Sequence, residues 1–367
     1  MLKEEILQRN LPPLLTMNDG RVCTKDLWKE RREELLDILQ ENIYGFTPEP
    51  PKVVTGRIIE QGEERAFAGK VNQQLIEITF DTPKGDCTFP FYLFLPRNNP
   101  HAPLFLHIAF RSDIPDRYSP VEEITDHGFA LAIVNYKDMV NDNHHGDYTD
   151  GLGKLYIGDR KRRPSEWGKI GMWAYGASRV MDYLLTREDI DHDHIAVVGH
   201  SRLGKTALWC AAQDERFFMG ISNNSGIGGA AIAKHSTGER ISDFIRVGSW
   251  EWFCENFKSF DGREDIDMPY DQHYLLAVIA PRHICVGSSE LDRGADPKSE
   301  FLSCVVASKV YKLLGYRGLI TPNEYPKSPT ELHSGDIGYH IRPGHHYFSR
   351  YDWNRYMEFM RLKMQGA

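Results

Sequence analysis

Short apolar runs alternate with longer helix-like stretches along most of the chain beyond residue 100. The runs that read as strands are 103–110, 130–136, 194–198, 219–222 and 283–287. A helical pattern over 167–184 separates the second run from the third. This alternation is typical of a mostly parallel sheet with helices on both faces. The sequence therefore predicts an α/β fold of the α/β-hydrolase type.

The first hundred residues follow a different pattern. Thr24-Lys25-Asp26 opens a predicted helix whose apolar positions largely share one face, and prolines 48, 50 and 51 then break the chain. Two strand-like runs, 75–80 and 89–95, flank turn-forming residues at 83–86 and predict a hairpin at a sheet edge, where Pro90 is tolerated. We expect an amino-terminal extension over 1–60, packed on a main domain over 61–367.

The segment from Gly199 to Lys205 carries the strongest chemical signal. It follows the strand-like run 194–198 and precedes the helix-like stretch 206–212. A serine on a sharp turn between strand and helix has the geometry of a hydrolase nucleophile elbow, so Ser201 is the predicted nucleophile. Leu203 stands where the usual motif has glycine, and a serine that merely caps the helix is the alternative.

A serine nucleophile needs a base, and in α/β-hydrolases the acid and then the histidine follow the serine. Pro343 and Gly344 predict a tight loop late in the chain. His346 in this loop is the preferred base, with His345 and His340 behind it.

The loop after the strand-like run 283–287 holds three carboxylates. Asp292 is the preferred acid over Glu290 and Asp296. The alternative is that these carboxylates cap the following helix or pair with Arg293.

The chain has 367 residues and a formal net charge of −8, which argues against nucleic-acid partners. The sequence contains no apolar stretch of membrane-spanning length and no pattern of a secretion signal, so we expect a cytoplasmic protein with no membrane partner. Its six scattered cysteines predict buried free thiols. The pairs in 191–194 and at His144-His145 lack the spacing of metal ligands, and no metal is predicted.

The segment 199–205, Gly-His-Ser-Arg-Leu-Gly-Lys, resembles the nucleophile motif of the glucuronoyl esterases, a carbohydrate esterase family. Further segments resemble that family in its order: 224–230, 252–257, 271–273, 279–282, 296–301 and 342–346. The resemblance covers roughly residues 100 to 355 and rests on several spaced motifs. It implies an α/β-hydrolase fold and a serine esterase that cleaves uronic acid esters of plant cell-wall carbohydrate without a cofactor.

The resemblance also implies roles for individual residues. Ser201 would be the nucleophile and His346 the base, while Arg202 would help to hold the oxyanion. Lys205 would hydrogen-bond sugar hydroxyls. Glu239 resembles a further sugar-contacting residue, and the alternative is a surface pair with Arg240 or Lys234.

The chain departs from the family's pattern at Gly294 and, at three further positions, from that of the fungal members. Asn224 stands where they carry a glutamate, so that acid is missing. Some bacterial members of the family resemble this chain in placing an acid on the later loop, which supports Asp292. His200 and Tyr347 stand where the fungal members carry cysteines, so no disulfide is expected there. Gly294 replaces a bulky aromatic residue of the acid loop, which bears on substrate preference.

Two other functions stay open. A deacetylase of acetylated sugars or xylo-oligosaccharides would use the same triad without needing Arg202 or Lys205. A non-catalytic, carbohydrate-binding descendant would tolerate the loss of the acid at position 224.

Overall fold

Strand Ile190–His200 crosses the middle of the sheet in the computed structural model, which describes residues 2–111, 118–143 and 148–366. Side chains of its apolar run alternate between two buried cores: Ile195 and Val197 pack into one, and Ala196 and Val198 into the other. Burial on both faces explains why this segment is apolar at successive positions and not only at alternate ones.

The strands join into one sheet in the order β1-β2-β3-β5-β4-β6-β7-β8-β10-β9. They are β1 Val54–Gln61, β2 Val71–Thr82, β3 Gly85–Pro96, β4 Ala102–Ala109, β5 Ala130–Asn135, β6 Ile190–His200, β7 Met219–Asn223, β8 His283–Ser289, β9 Thr330–Leu332 and β10 Ile337–Arg342. Strands β5, β4, β6, β7, β8 and β10 are mutually parallel, and antiparallel strands lie at both ends. The predicted α/β-hydrolase-like fold with a mostly parallel sheet is confirmed.

Helices cover both faces of the sheet. They are α1 Leu2–Gln8, α2 Trp28–Leu39, α3 Val121–Asp126, α4 Tyr136–Met139, α5 Gly151–Tyr156, α6 Lys169–Leu184, α7 Arg202–Gln213, α8 Ile241–Arg246, α9 His273–Ala277, α10 Pro297–Leu314 and α11 Arg350–Met364. Apolar side chains of α2, α6, α7, α9 and α10 fill one core, and those of α3 and α11 fill the other. Within the described ranges, no helix is long and apolar enough to cross a bilayer.

The predicted hairpin is confirmed as β2 and β3, which pair through Thr82 and Gly85 at the turn. Its predicted place at the edge is wrong, because β1 pairs outside β2. Pro90 is accommodated because the ladder between β3 and β5 covers residues 92–94, and Pro90 lies beyond it. The sequence pattern missed β1, since nearly all of its side chains are exposed. The expected boundary at residue 60 falls within this strand.

Two arginines, buried Arg9 and half-buried Arg32, hold the amino-terminal segment against the rest of the chain. Arg9 donates to the carbonyl of Lys234 at 2.7 Å, and Arg32 donates to the carbonyls of Ala212 and Val278. All six cysteines are buried free thiols, as predicted.

Candidate active site

Ser201 occupies the turn between β6 and α7 with φ 57° and ψ −128°, a left-handed conformation that non-glycine residues rarely adopt. Gly199 allows the turn to close, because a Cβ there would lie 2.0 Å from the carbonyl oxygen of Leu203. Among the residues that the structure describes, the serine hydroxyl makes no capping hydrogen bond to α7. The capping alternative is therefore wrong, and Ser201 lines a cavity.

Two loops at the same end of the parallel sheet bring the acid and the histidine together. Strands β8 and β10 pair in parallel, with Ser289 opposite Arg342 at their carboxyl ends. Past these ends, the amide of Leu291 donates to the carbonyl of Gly344 at 2.9 Å. His346 Nδ1 then lies 2.6 Å from Asp292 Oδ2.

The other acid candidates lie elsewhere. Glu290 is exposed, and Asp296 caps α10 by accepting from the amide of Ser299 at 3.1 Å. Burial would raise the pKa of the Asp296 carboxyl, but hydrogen bonds from Ser299 and Thr237 hold it below its usual value. Helix capping was the alternative role for the carboxylates of this loop, and Asp296 has that role.

The other histidine candidates are also separate from the site. His340 lies on β10, fully buried, with its Nε2 2.9 Å from Asp352 Oδ1. His345 is exposed to solvent. Its neighbour His346 is the histidine that meets the carboxylate of Asp292.

A cavity of about 490 Å³ gathers the predicted residues. Its lining includes every preferred site residue, namely Ser201, Arg202, Lys205, Glu239, Asp292 and His346. A larger cleft of about 950 Å³ beside residues 47–54 and 213–216 contains none of them. The smaller cavity is therefore the candidate active site.

The guanidinium of Arg202 is held from two sides at the cavity wall. Its Nη1 pairs with the carboxylate of Asp142, and its centre lies 4.3 Å from the centroid of the Trp252 ring. The same carboxylate accepts from Trp252 Nε1 at 2.7 Å and from the hydroxyl of Tyr136 at 3.2 Å. Arg202 is thus a fixed cation beside Ser201 and not a solvated side chain at a helix start.

Lys205, one turn further along α7, is buried and fully engaged. Its ammonium donates to the carbonyls of Ser225 and Ile227, each at 2.6 Å, and to Glu239 Oε1 at 2.7 Å. Glu239 therefore pairs with Lys205. The alternative pairing with Arg240 or Lys234 is wrong, because these side chains bind other groups.

Asn224 lines the cavity and connects two loops at its wall. Its Nδ2 donates to Ser289 Oγ at 2.8 Å and to the carbonyl of Tyr347 at 3.3 Å. Ser289 precedes the acid loop, and Tyr347 follows His346 directly. The amide thus braces both loops of the site.

His200 packs against the candidate base. Its ring centroid lies 4.5 Å from that of His346, and its Nδ1 lies 2.7 Å from Asn223 Oδ1. Burial, with the His346 charge as a smaller cause, lowers the pKa of His200 to about 3. The neighbour of His346 therefore remains neutral.

Sequence reasoning missed Asp142 and did not single out Trp252 from the segment 252–257. Asp142 lies in a polar stretch far before Ser201, and its role arises only from tertiary contact. The residues Asp191 and His194, considered as metal ligands, form a local pair at 2.7 Å. His144 and His145 lie outside the described residues.

Comparisons with known proteins agree with this geometry. A family model described as glucuronyl esterase of fungi matches residues 87–315. A carbohydrate esterase of an unknown prokaryotic organism is 32% identical over 99% of this chain and 91% of its own length. The 4-O-methyl-glucuronoyl methylesterase of Hypocrea jecorina is 27% identical over 83% of this chain and 62% of its own.

A solved structure is similar along nearly its whole length. The glucuronoyl esterase of Solibacter usitatus superposes with a TM-score of 0.86 at 34% identity, covering 96% of this chain and 97% of the other.

Proposed function

The chain belongs to the glucuronoyl esterase family and is a carboxylic ester hydrolase, and we propose that it cleaves glucuronoyl esters with Ser201, His346 and Asp292. The observation that carries this proposal is the 2.6 Å contact between His346 Nδ1 and Asp292 Oδ2 in the cavity that Ser201 lines. A histidine held in this way presents its second nitrogen as a base.

The reaction would proceed in two halves. His346 Nε2 takes the proton of Ser201 Oγ as that oxygen attacks the ester carbonyl carbon, while Asp292 holds the Nδ1 proton and stabilises the imidazolium. The tetrahedral intermediate collapses, and the departing alcohol takes the proton from His346. Water then attacks the acyl-enzyme with the same base, which releases the uronic acid and restores Ser201.

Arg202 would stabilise the oxyanion of the tetrahedral intermediate. Its guanidinium is anchored through one nitrogen on Asp142 and through its face on Trp252. A cation fixed in advance near the developing charge lowers the barrier because it need not reorient during the reaction. Its side chain remains 27% exposed, toward the cavity that it lines.

Lys205 and Glu239 would orient the sugar. The three acceptors around the Lys205 ammonium leave it little capacity to bind a hydroxyl directly. We therefore assign Lys205 to positioning Glu239, whose carboxylate reaches the cavity and can accept from sugar hydroxyls. This arrangement favours a uronic acid ester, because an acetyl group carries no hydroxyl that could donate to the Glu239 carboxylate.

The test is hydrolysis of benzyl glucuronate by the full chain, with an acetylated sugar as the comparison substrate. We expect turnover of the glucuronate ester, and its loss in Ser201→Ala with the fold retained by circular dichroism. Turnover of the acetylated sugar alone would favour the deacetylase. Inactivity on both esters, with sugar binding retained, would favour the non-catalytic alternative.

A further inference from the structure

A second cluster of reactive side chains lies between the sheet and α11. It consists of Cys285 on β8, His340 on β10 and His333 just after β9, and one ligand atom from each lies within 4.8 Å of the others. We name these residues the Cys-His-His cluster. All three side chains are buried.

Strand register explains how these distant residues meet. Cys285 pairs with Gly338, and His340 lies two residues further along β10 on the same face. Gly338 leaves space over the thiol, since a Cβ there would lie 3.1 Å from Cys285 Sγ. His333 is brought alongside by the antiparallel pairing of β9 with β10.

The imidazoles of the cluster have unused nitrogens. Within the described ranges, neither ring nitrogen of His333 has a hydrogen-bond partner, and the same holds for Nδ1 of His340. His333 is only 7% exposed, and His340 is fully buried. Buried polar atoms without partners are costly, so their presence together points to a ligand.

Asp352 orients His340 toward such a ligand. Its Oδ1 lies 2.9 Å from His340 Nε2, and its other oxygen accepts from Arg342 Nε at 2.8 Å. A carboxylate acceptor assigns the ring proton to Nε2 and leaves the lone pair on Nδ1. Metal-binding histidines commonly have a carboxylate behind the ring in this arrangement.

We propose that the Cys-His-His cluster binds a divalent metal ion of the zinc class, outside the catalytic cavity. One thiolate and two imidazoles are the donors that Zn²⁺ prefers, and three protein ligands leave a fourth position for water. Binding ionises the Cys285 thiol, and its proton passes to solvent. His333, with its small remaining exposure, provides the approach for the ion.

The charges around the cluster are mixed. The carboxylates of Asp352 and Glu358 act electrostatically on Cys285, while the cations of Arg355 and Lys363 act on His333. The two carboxylates compensate part of the charge of a bound cation.

Hydrogen bonds connect the Cys-His-His cluster to the loop that carries His346. Asp352 holds Arg342, which donates to the carbonyls of Pro343 and Tyr347 on either side of His346. A metal ion that fixes His340 would therefore stabilise the contacts of Asp352 and Arg342 that hold this loop. Its role is structural, since no ligand of the cluster lines the catalytic cavity.

The test uses the full chain after treatment with a chelator and gel filtration. Zn²⁺ alone is titrated against a chromophoric chelator, and Co²⁺ is added separately to record its spectrum. We expect one tightly bound Zn²⁺ per chain, and a thiolate-to-cobalt charge-transfer band from Cys285. Bound zinc should also raise the melting temperature.

Three variants locate the ion. His333→Ala should abolish stoichiometric binding, Cys285→Ser should remove the charge-transfer band, and His192→Ala, an exposed histidine elsewhere, should change neither. Absence of stoichiometric zinc binding in the unsubstituted chain would overturn the proposal, whatever the folding of the variants. Binding that survives both cluster substitutions would also overturn it.

Discussion

His346 Nδ1 lies 2.6 Å from Asp292 Oδ2, and the two residues come from loops that follow adjacent parallel strands, β10 and β8. The loop after β7 instead offers Asn224, whose amide donates to Ser289 Oγ and the carbonyl of Tyr347. An amide cannot supply the negative charge that an imidazolium needs. The carboxylate next to the histidine therefore has to come from the β8 loop.

Replacing that carboxylate should remove most of the activity. Asp292→Asn keeps the size of the side chain but removes its charge, and we expect kcat on benzyl glucuronate to fall by roughly 10³- to 10⁴-fold. Glu290→Gln, two residues away and exposed, is the matched control and should retain activity. Equal losses in the two variants would contradict the assignment of Asp292.

Local sequence was sufficient to predict the central strands and the elbow. The apolar runs of β4 to β8 are buried on both faces, so each stands out without reference to its partners. Ser201 is identified by its position between such a run and a helix. His346 and Asp292 follow from chain order, because parallel strands place successive loops at the same end of the sheet.

Other features depend on tertiary contacts and left no local pattern. Strand β1 is mostly exposed and lacks an apolar run. Strand β10 is buried but contains His340 and Arg342, whose burial is compensated by hydrogen bonds that Asp352 of α11 accepts from both. Asp142 acquires its role from Arg202 and Trp252, which lie far from it in sequence.

The ion pair between Asp142 and Arg202 should have a measurable effect on kcat. We expect Arg202→Ala to lower kcat by roughly 10²- to 10³-fold through loss of oxyanion stabilisation. Asp142→Asn should reproduce part of this loss, because the guanidinium would lose its ionic anchor. The double variant should lose less kcat than the product of the two separate fold-losses, because both substitutions act on one interaction. Asp138→Asn, exposed on the same segment, is the control. Fully independent effects of Arg202 and Asp142 would contradict the anchor.

The strained backbone of Ser201 should lower the stability of the active protein. Glycine adopts a φ of 57° without steric cost, whereas alanine keeps the strain. We expect both Ser201→Gly and Ser201→Ala to be inactive, with the glycine variant more stable by about 1 kcal/mol. Urea denaturation of the two variants measures the difference. A glycine variant that is less stable than the alanine variant would show that the turn is unstrained.

Glu300 is a buried carboxyl group directly behind the loop that carries Asn224. Its Oε1 accepts from the amides of Ser225 at 2.7 Å and Gly226 at 3.1 Å, and its Oε2 lies 2.6 Å from Ser288 Oγ. Burial is the main cause that raises the pKa of this group to about 8, from an ordinary value of 4.5. The protonated form can still accept both amides and can donate to the serine hydroxyl.

This raised pKa should make stability depend on pH in a defined direction. Between pH 4.5 and about 8, the folded chain keeps a proton on Glu300 that the unfolded chain has released. Its contribution to the free energy of unfolding is therefore complete below pH 4.5 and is lost as pH rises through about 8, with a slope of up to about 1.4 kcal/mol per pH unit.

Glu300→Gln retains the shape and the hydrogen bonds of the protonated form but cannot ionise. The unsubstituted chain should therefore lose stability relative to this variant as pH rises across that window. Denaturation of both proteins at a series of pH values measures the difference, with the exposed Glu290→Gln as the control. Parallel curves for Glu300→Gln and the unsubstituted chain would mean that Glu300 is ionised in the folded protein, held as a carboxylate by the amides of Ser225 and Gly226.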